Sequence, residues 1–342
     1  MPSNRIPALS APLRLVIDLT SRCNLRCRYC CFFSAPEECG RDDLPPERWT
    51  ALIDEAARCG VLHVTLRGGE ALLSPAFFPT VEAIVRNRMR FSMLTNGILF
   101  DGAVAEKIAA TGRCDLVKIS LDGDEATHDA MRGKGSHAKA LAAIAAARKA
   151  DLPVLVTCAV HRYNCAKLPE IIRYFSEELE LPEFTFSAVM SCDSPEYCLS
   201  EEQFRAAAHL IANTENAAFA PGGMYGGVKR WRKLLSGQGE CGECTLLRER
   251  LTVLADGTFV PCPLLASVEL GKAGRDPLAE VWKKLCADTA IVCRVHVDEA
   301  CAECRFKNLC RGVCPGVARS DLRDINHFLC LRRQLEAYGG QL

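Results

Sequence analysis

Six short β-rich runs punctuate residues 13–189 of the chain: Leu13 to Asp18, Val61 to Leu66, Arg90 to Thr95, Asp115 to Leu121, Pro153 to Val160 and Glu183 to Val189. Helix-like segments separate them, among them Pro46 to Arg58, "HAKALAAIAAARK" from His137 to Lys149, and Leu168 to Glu178. A strand that rejoins its sheet after a helical crossover pairs in parallel with right-handed connection, so this alternation predicts an α/β layout, open sheet or barrel. In such folds the ligand site lies at the carboxyl ends of the strands, in the βα loops. The segment that follows the first strand is "TSRCNLRCRYCCFF", residues 20–33, and its thiols are therefore expected at that face.

What those thiols can do depends on compartment. The start, "MPSNRIPALSAPLRLVIDLT", lacks the long apolar core of a signal peptide, and no stretch approaches the roughly 18 apolar residues of a membrane helix. The expected location is cytoplasmic, with no membrane partner. The 42 basic residues balance 42 acidic ones, which leaves no electrostatic footprint for nucleic acid. Twenty-one cysteines in 342 residues, an odd number without an export signal, do not fit a secreted disulfide scaffold. Clustered thiols in a reducing compartment point to zinc or iron–sulfur clusters.

After about residue 190 the alternation stops. Mixed polar segments, a helix-like stretch from Ser200 to Asn213 and the glycine-rich "APGGMYGG" lead to a cysteine-dominated tail with few apolar runs, as expected of a small domain held by metal. The expected division is an N-terminal extension at 1–12, a barrel or sheet domain at 13–199, a bridge at 200–240 and a metal-binding domain at 241–342. Cys23, Cys27 and Cys30 form C-x3-C-x2-C, a spacing that chance can supply in so cysteine-rich a chain. Cys301, Cys304, Cys310 and Cys314 form C-x2-C-x5-C-x3-C; twelve residues separate Cys244 from Gly257 and four separate Gly257 from Cys262; and Cys330 closes the array. Both arrays together are not a chance product.

With these motifs the sequence resembles the radical S-adenosylmethionine (SAM) enzymes that carry a C-terminal SPASM domain. The resemblance covers nearly the whole chain: the first cysteine triplet matches the family's cluster loop, "RGGEALL" its glycine-glycine-glutamate motif, and the distal array its seven-cysteine pattern. It implies a partial (β/α)6 TIM-like barrel followed by a small iron–sulfur domain. Three thiolates on a [4Fe–4S] cube leave one iron open to the amino and carboxylate groups of SAM, whose reductive cleavage yields a 5′-deoxyadenosyl radical. A three-cysteine zinc site with a fourth ligand elsewhere is the alternative for the loop. Adjacent residues of an extended loop point apart, so Cys31 is not expected on the same cube.

The resemblance also implies further roles. Gly68, Gly69 and Glu70 would bind the methionyl amino group, the missing Cβ atoms permitting close backbone approach to a ligand; Ala71 replaces the usual proline. Ser120 and Asp122, in "VKISLDG", stand where relatives bind the ribose or carboxylate, and Arg132 and Lys139 are candidates for pairing the SAM carboxylate. Asn96 reads as a turn residue. In the distal domain Cys244, Cys262 and Cys314 would hold one auxiliary cluster, with Cys241 as candidate fourth ligand, and Cys301, Cys304, Cys310 and Cys330 the other. These clusters would either remove the electron left over from a crosslinking reaction or act as structural staples.

The implied activity is hydrogen abstraction from a peptide or protein, with a thioether or carbon–carbon crosslink in a ribosomally made peptide as the leading outcome. Alternatives are a small-molecule or tetrapyrrole maturase, a peptide epimerase using Cys192 or Cys198 as hydrogen donor, a non-catalytic iron–sulfur electron carrier, and an anaerobic sulfatase maturase. The last is disfavoured because Pro263 stands where those enzymes place an aspartate base after Cys262. About a dozen residues precede the first strand, so leader recognition would fall to a separate protein or to the enzyme's own surface. A reductant such as flavodoxin or ferredoxin is implied. His63, His128 and His161 could serve as bases, though their spacing selects none.

Overall fold

The computed structural model describes residues 9–30, 42–189, 195–219, 249–288 and 303. Strands β1 (Arg14–Asp18), β2 (His63–Arg67), β3 (Arg90–Thr95), β4 (Cys114–Ser120), β5 (Val154–Val160) and β6 (Phe184–Ala188) occupy the six expected runs. They pair in parallel in sequence order. The sheet is larger than six strands, however. A seventh parallel strand, β7 (Ala217–Phe219), adds beyond β6, and β8 (Arg250–Val253) pairs in parallel on the other side of β1. The antiparallel strands β9 (Thr258–Val260) and β10 (Gly271–Lys272) complete a ten-stranded sheet in the order β10-β9-β8-β1-β2-β3-β4-β5-β6-β7. The additional strands have only two to four residues, too short for an alternation pattern to mark them.

Helices α1 (Pro46–Arg58), α2 (Phe77–Arg86), α3 (Gly102–Ala109), α4 (Glu125–Arg132) and α5 (Ser136–Lys149) fill the crossovers. Proline at the start of α1 needs no amide partner there, and Asp101 and Asp124 cap α3 and α4 through the amides of Val104 and Thr127. The helix expected from Leu168 to Glu178 divides instead: α6 (Leu168–Arg173) runs into a π-turn, with Leu179 N–H bonded to Tyr174 O at 3.0 Å. That wider turn leaves Phe175 fully buried against Phe184 and Phe186. In the segment read as a bridge, α7 (Glu201–Ala212) is started by a reciprocal capping box between Ser200 and Gln203 and leads into β7, so the βα alternation extends as far as Phe219.

Period-two alternation sorts each strand into two faces. Leu15, Ile17, Val64, Leu66, Phe91, Met93, Val117, Ile119, Val156 and Cys158 are fully buried beneath the helices. On the opposite, concave face the same strands present Asp18, Thr65, Arg67, Ser92, Leu94, Lys118, Ser120 and Thr157 in register. That face is markedly polar.

Helix α8 (Leu278–Ala287) fastens the distal strands to the barrel. Leu278 N–H donates to Glu55 Oε1 on α1 at 2.7 Å, and fully buried Trp282 donates its indole N–H to Leu9 O at 2.7 Å. Gly257, at φ +85°, turns β8 into β9, where a Cβ would come within 2.8 Å of Leu44 Cδ1. No helix among the described residues is long and apolar enough to cross a membrane. Trp282→Phe, which keeps most of the bulk and loses the indole bond, is expected to cost about 1 kcal/mol. Trp282→Ala should cost about 3–5 kcal/mol, both read from the urea midpoint of unfolding under anaerobic conditions.

Candidate active site

The cysteine loop emerges from the carboxyl end of β1 and is pinned on three sides. Asp43, just ahead of α1, accepts from Thr20 Oγ1, from Ser21 N at 2.8 Å and from Arg22 Nε at 3.3 Å. From the end of β2, Gly69 N donates to Thr20 O at 3.0 Å and Glu70 N to Arg22 O at 2.9 Å. From α4, Met131 O accepts from Arg28 N at 3.0 Å. A chain without regular secondary structure thereby acquires a fixed path.

The two glycines meet the protein's own backbone. A Cβ at Gly68 would stand 2.5 Å from Thr20 O, and at Gly69 2.2 Å from Arg22 O, so what approaches closely is the cysteine loop's own backbone. Gly68 also holds φ +137°, which a side chain would strain. Glu70 then turns inward. Its buried carboxylate accepts from Thr95 Oγ1 at 2.9 Å, Asn96 N at 2.8 Å and Leu72 N at 3.3 Å. Burial pushes its carboxyl above the usual range, and those hydrogen bonds only partly offset the effect. Asn96, read from sequence as a turn residue, does more than turn the chain. Its amide donates to Asn24 Oδ1 at 2.8 Å and lies 3.6 Å from Cys23 Sγ, tying β3 to the cysteine loop.

Asp122, past the end of β4, is a hub. Arg132 reaches it with Nε at 2.7 Å and Nη2 at 3.1 Å, Ala159 N donates at 2.9 Å, and the Tyr29 hydroxyl donates to Oδ2. Burial alone would raise its carboxyl, but the Arg132 guanidinium and these donors overcome that and hold it below the usual range. The Asp122 amide donates to His128 Nδ1 at 3.0 Å, and the His161 ring stacks on Tyr29 at 5.5 Å. Burial lowers both histidines to about 4, so each is a neutral imidazole and a weak base at neutral pH. Burial lowers His63 as well; it lies at the other end of the strands, beside Asp115.

A cavity of about 290 Å³ gathers much of this chemistry: Cys23, Cys27, Cys30, Gly68, Gly69, Glu70, Asn96, Ser120 and Arg132 line it, with Asp18 and Arg67. Asp122 does not, being fully buried with its carboxylate spent on Tyr29, Arg132 and Ala159, so it supports the wall rather than facing a ligand. Arg132 faces the cavity while committed to Asp122. Lys139 is exposed on α5 and absent from the lining, although its neighbour Ala140 sits 3.0 Å from where a Gly97 Cβ would be, beside the Asn96 corner. Sequence reasoning missed the Asp18–Arg67 pair, bidentate at 2.6 and 3.1 Å, as well as Asp43 and Tyr29. A charged residue at the last position of each of two adjacent strands was the available signal for the first.

The donor set fits an iron–sulfur cluster. The three thiols are half-buried and share one cavity, while no group of three His, Cys, Asp or Glu side chains among the described residues converges on a single metal ion. Burial raises Cys23, and raises Cys27 to about 11, so both thiols are protonated until a metal displaces the protons. The distal wall is formed by Leu254, Ala255, Pro263 and Ala266, next to buried Cys262. Cys31, Cys192, Cys241, Cys244, Cys301, Cys304, Cys310, Cys314 and Cys330 lie outside the described residues. Gly69→Ala should prevent the cysteine loop from docking. The expected result after anaerobic reconstitution is loss of the iron bound by this loop, read as fewer iron atoms per chain and a weaker cluster EPR signal.

Comparison with known proteins agrees with this geometry. The Radical SAM superfamily model matches residues 17–175, and the SPASM model, an iron–sulfur cluster-binding domain, matches residues 244–305. The PqqA peptide cyclase of Ruegeria pomeroyi is 27% identical over 320 residues, covering 89% of this chain and 82% of that protein. The PqqA peptide cyclase of Gluconobacter oxydans is 34% identical over 166 residues, covering 47% of this chain and 45% of that protein. The mycofactocin maturase MftC of Mycobacterium ulcerans is 36% identical over 166 residues, 47% of this chain and 43% of that one. This chain thus spans less than half the length of the latter two. Among solved structures, anSMEcpe with bound AdoMet superposes with TM-score 0.75 at 20% identity, covering 96% of this chain and 97% of that one. Streptococcus suis SuiB bound to S-adenosylmethionine gives 0.69 at 17%, covering 91% and 73%. At such identities the likeness is one of fold, a partial TIM-like barrel. With both family models matched in the expected order and the thiols of the first gathered on one cavity, the chain belongs to the radical SAM superfamily and carries a SPASM iron–sulfur domain behind its barrel.

Proposed function

We propose that this protein is a radical SAM maturase that abstracts hydrogen from a precursor peptide and forms an intrapeptide thioether or carbon–carbon crosslink. The observation that carries the reading is the convergence of Cys23, Cys27 and Cys30 with the Glu70–Asn96 corner on one cavity that also opens onto the SPASM side through Pro263 and Ala266. The relatives named as peptide cyclases and maturases, together with SuiB bound to its precursor peptide SuiA, supply the substrate class.

When bound, the cluster and SAM supply a one-electron cleavage that generates a hydrogen-abstracting 5′-deoxyadenosyl radical. The chain's own part is positional. Cys23, Cys27 and Cys30 would hold the cluster, their three thiolates leaving one iron for SAM. Asn96 steadies Cys23 through its side-chain amide, and Tyr29, anchored on Asp122, steadies the segment between Cys27 and Cys30. Ser120 and Arg132 line the cavity, where Arg132 would pair the SAM carboxylate, whereas Lys139, exposed on α5, stands outside the lining. Two auxiliary clusters, on Cys241, Cys244, Cys262 and Cys314 and on Cys301, Cys304, Cys310 and Cys330, would take the electron released when the crosslink closes. An external flavodoxin or ferredoxin would reduce the first cluster, and a separate protein could present the leader.

Pro263 lines the cavity and offers no titratable group, which weighs against oxidation of a cysteine or serine to formylglycine. Anaerobic incubation of reduced protein with SAM should release 5′-deoxyadenosine, and Cys27→Ala should abolish that release; retained turnover would defeat the assignment. Iron near twelve atoms per chain supports three cubes, whereas about four would leave the distal domain without clusters. With a small peptide encoded beside the gene, mass spectrometry should find loss of two hydrogens per turnover. Recovery of formylglycine or of an unchanged mass would send the reading elsewhere.

A further inference from the structure

The concave face of the barrel is unusual for a (β/α) fold, whose interior is ordinarily packed with branched apolar side chains. Here hydroxyls recur across the strands in register, Thr65 beside Ser92 at 3.3 Å and Thr157 beside both Ser120 and Thr185, while Thr252 on β8 has a buried hydroxyl with no partner. Most charges on this face are matched. Asp18 holds Arg67 at the cavity end; at the opposite end Asp115 serves Arg90 and His63, and Glu249 serves Arg14 and Arg250.

Lys118 is not matched. It stands midway along β4 with Leu94 of β3 and Leu155 of β5 as its register neighbours, on the same face as Ser120. Leu94 and Ser120 both line the cavity, so the lysine borders it from below. Among the described residues its ammonium has no hydrogen bond or ion pair. Burial lowers its pKa, with no neighbouring charge to offset the loss of water. A cation half-buried between two leucines without a counter-ion is costly to keep, and an arriving carboxylate would relieve that cost.

We propose that the concave face beneath the cavity is a binding site for a carboxylate-bearing side chain of the substrate, with Lys118 as its counter-cation and the surrounding hydroxyls as additional donors. This rests on the peptide reading above and adds to it a preference for an acidic residue at the modified segment. The other source of a carboxylate is SAM itself. Lys118 lies deeper than Ser120 and outside the cavity lining, and this favours the substrate.

The test uses anaerobically reconstituted full-length protein with SAM bound. N-acetyl-glutamate N-methylamide and its neutral isostere N-acetyl-glutamine N-methylamide are titrated in turn, and binding is followed by NMR through broadening of their methylene protons near the paramagnetic cluster. The wild type should prefer the acidic probe roughly tenfold, as one charge-assisted hydrogen bond implies. Lys118→Met should lose that preference while keeping its iron and the change that SAM induces in the EPR signal, and Lys118→Arg should retain it. If Lys118→Met does not retain iron, Lys118→Gln is read in its place. Equal binding of the two probes, or a preference that survives neutralisation of Lys118, overturns the proposal. So does loss of the SAM-induced EPR change in the neutral variant, which would make SAM the lysine's partner. Crosslinking is not the readout: a null probe result with a peptide still crosslinked removes this site alone, and a Lys118-dependent preference with no modified peptide removes the maturase reading alone.

Discussion

The docking of an irregular cysteine loop onto the carboxyl edge of the sheet is the constraint on which the site depends. Three thiols can share a cluster only if the backbone between them follows one path, and no helix or strand enforces it. The path is set instead by backbone contacts from Gly69 and Glu70, by the Asp43 carboxylate at one end, and by Tyr29 and Arg28 at the other. These contacts come from three different crossovers. The loop is therefore fixed only when β1, β2, β4 and their helices are already assembled.

Asp122 and Glu70 are two buried carboxylates used in opposite ways. Asp122 is neutralised by Arg132 and surrounded by donors, so it stays ionised and acts as a fixed anchor. Glu70 has hydrogen bonds but, among the described residues, no cation at its side, and burial leaves its carboxyl raised. It faces the cavity, where a cationic amino group would lower it again. The glycines before it matter through close backbone contact, a role that a ligand-centred view of the motif would overlook.

The sheet divides labour between its two faces. The apolar residues of β1 to β5 carry the core beneath α1, α2 and α5, and the ladder of hydroxyls and paired charges on the other face leaves room for polar ligands. Because β8 pairs directly with β1, the segment leading to Cys262 enters as part of the same sheet. Pro263 and Ala266 thereby become one wall of the cavity.

The alternation of six β-rich runs with amphipathic helices was legible in the letters because period two and period 3.6 are local properties, and helix α1 falls on the residues expected from Pro46 to Arg58. The cysteine triplet and the Gly-Gly-Glu segment were legible for the same reason, since chemistry-bearing residues at short spacing need no fold to be seen. Strands β7 to β10 were not, being too short to show a period, and β8 finds its parallel partner β1 more than two hundred residues away. Nor could spacing reveal that Arg132 serves Asp122, that Asp122 turns from the cavity to Tyr29 ninety-three residues earlier, or that Lys118 is left unmatched. Pairing of charges across strands depends on register and on which face a side chain occupies, and only the folded sheet decides both.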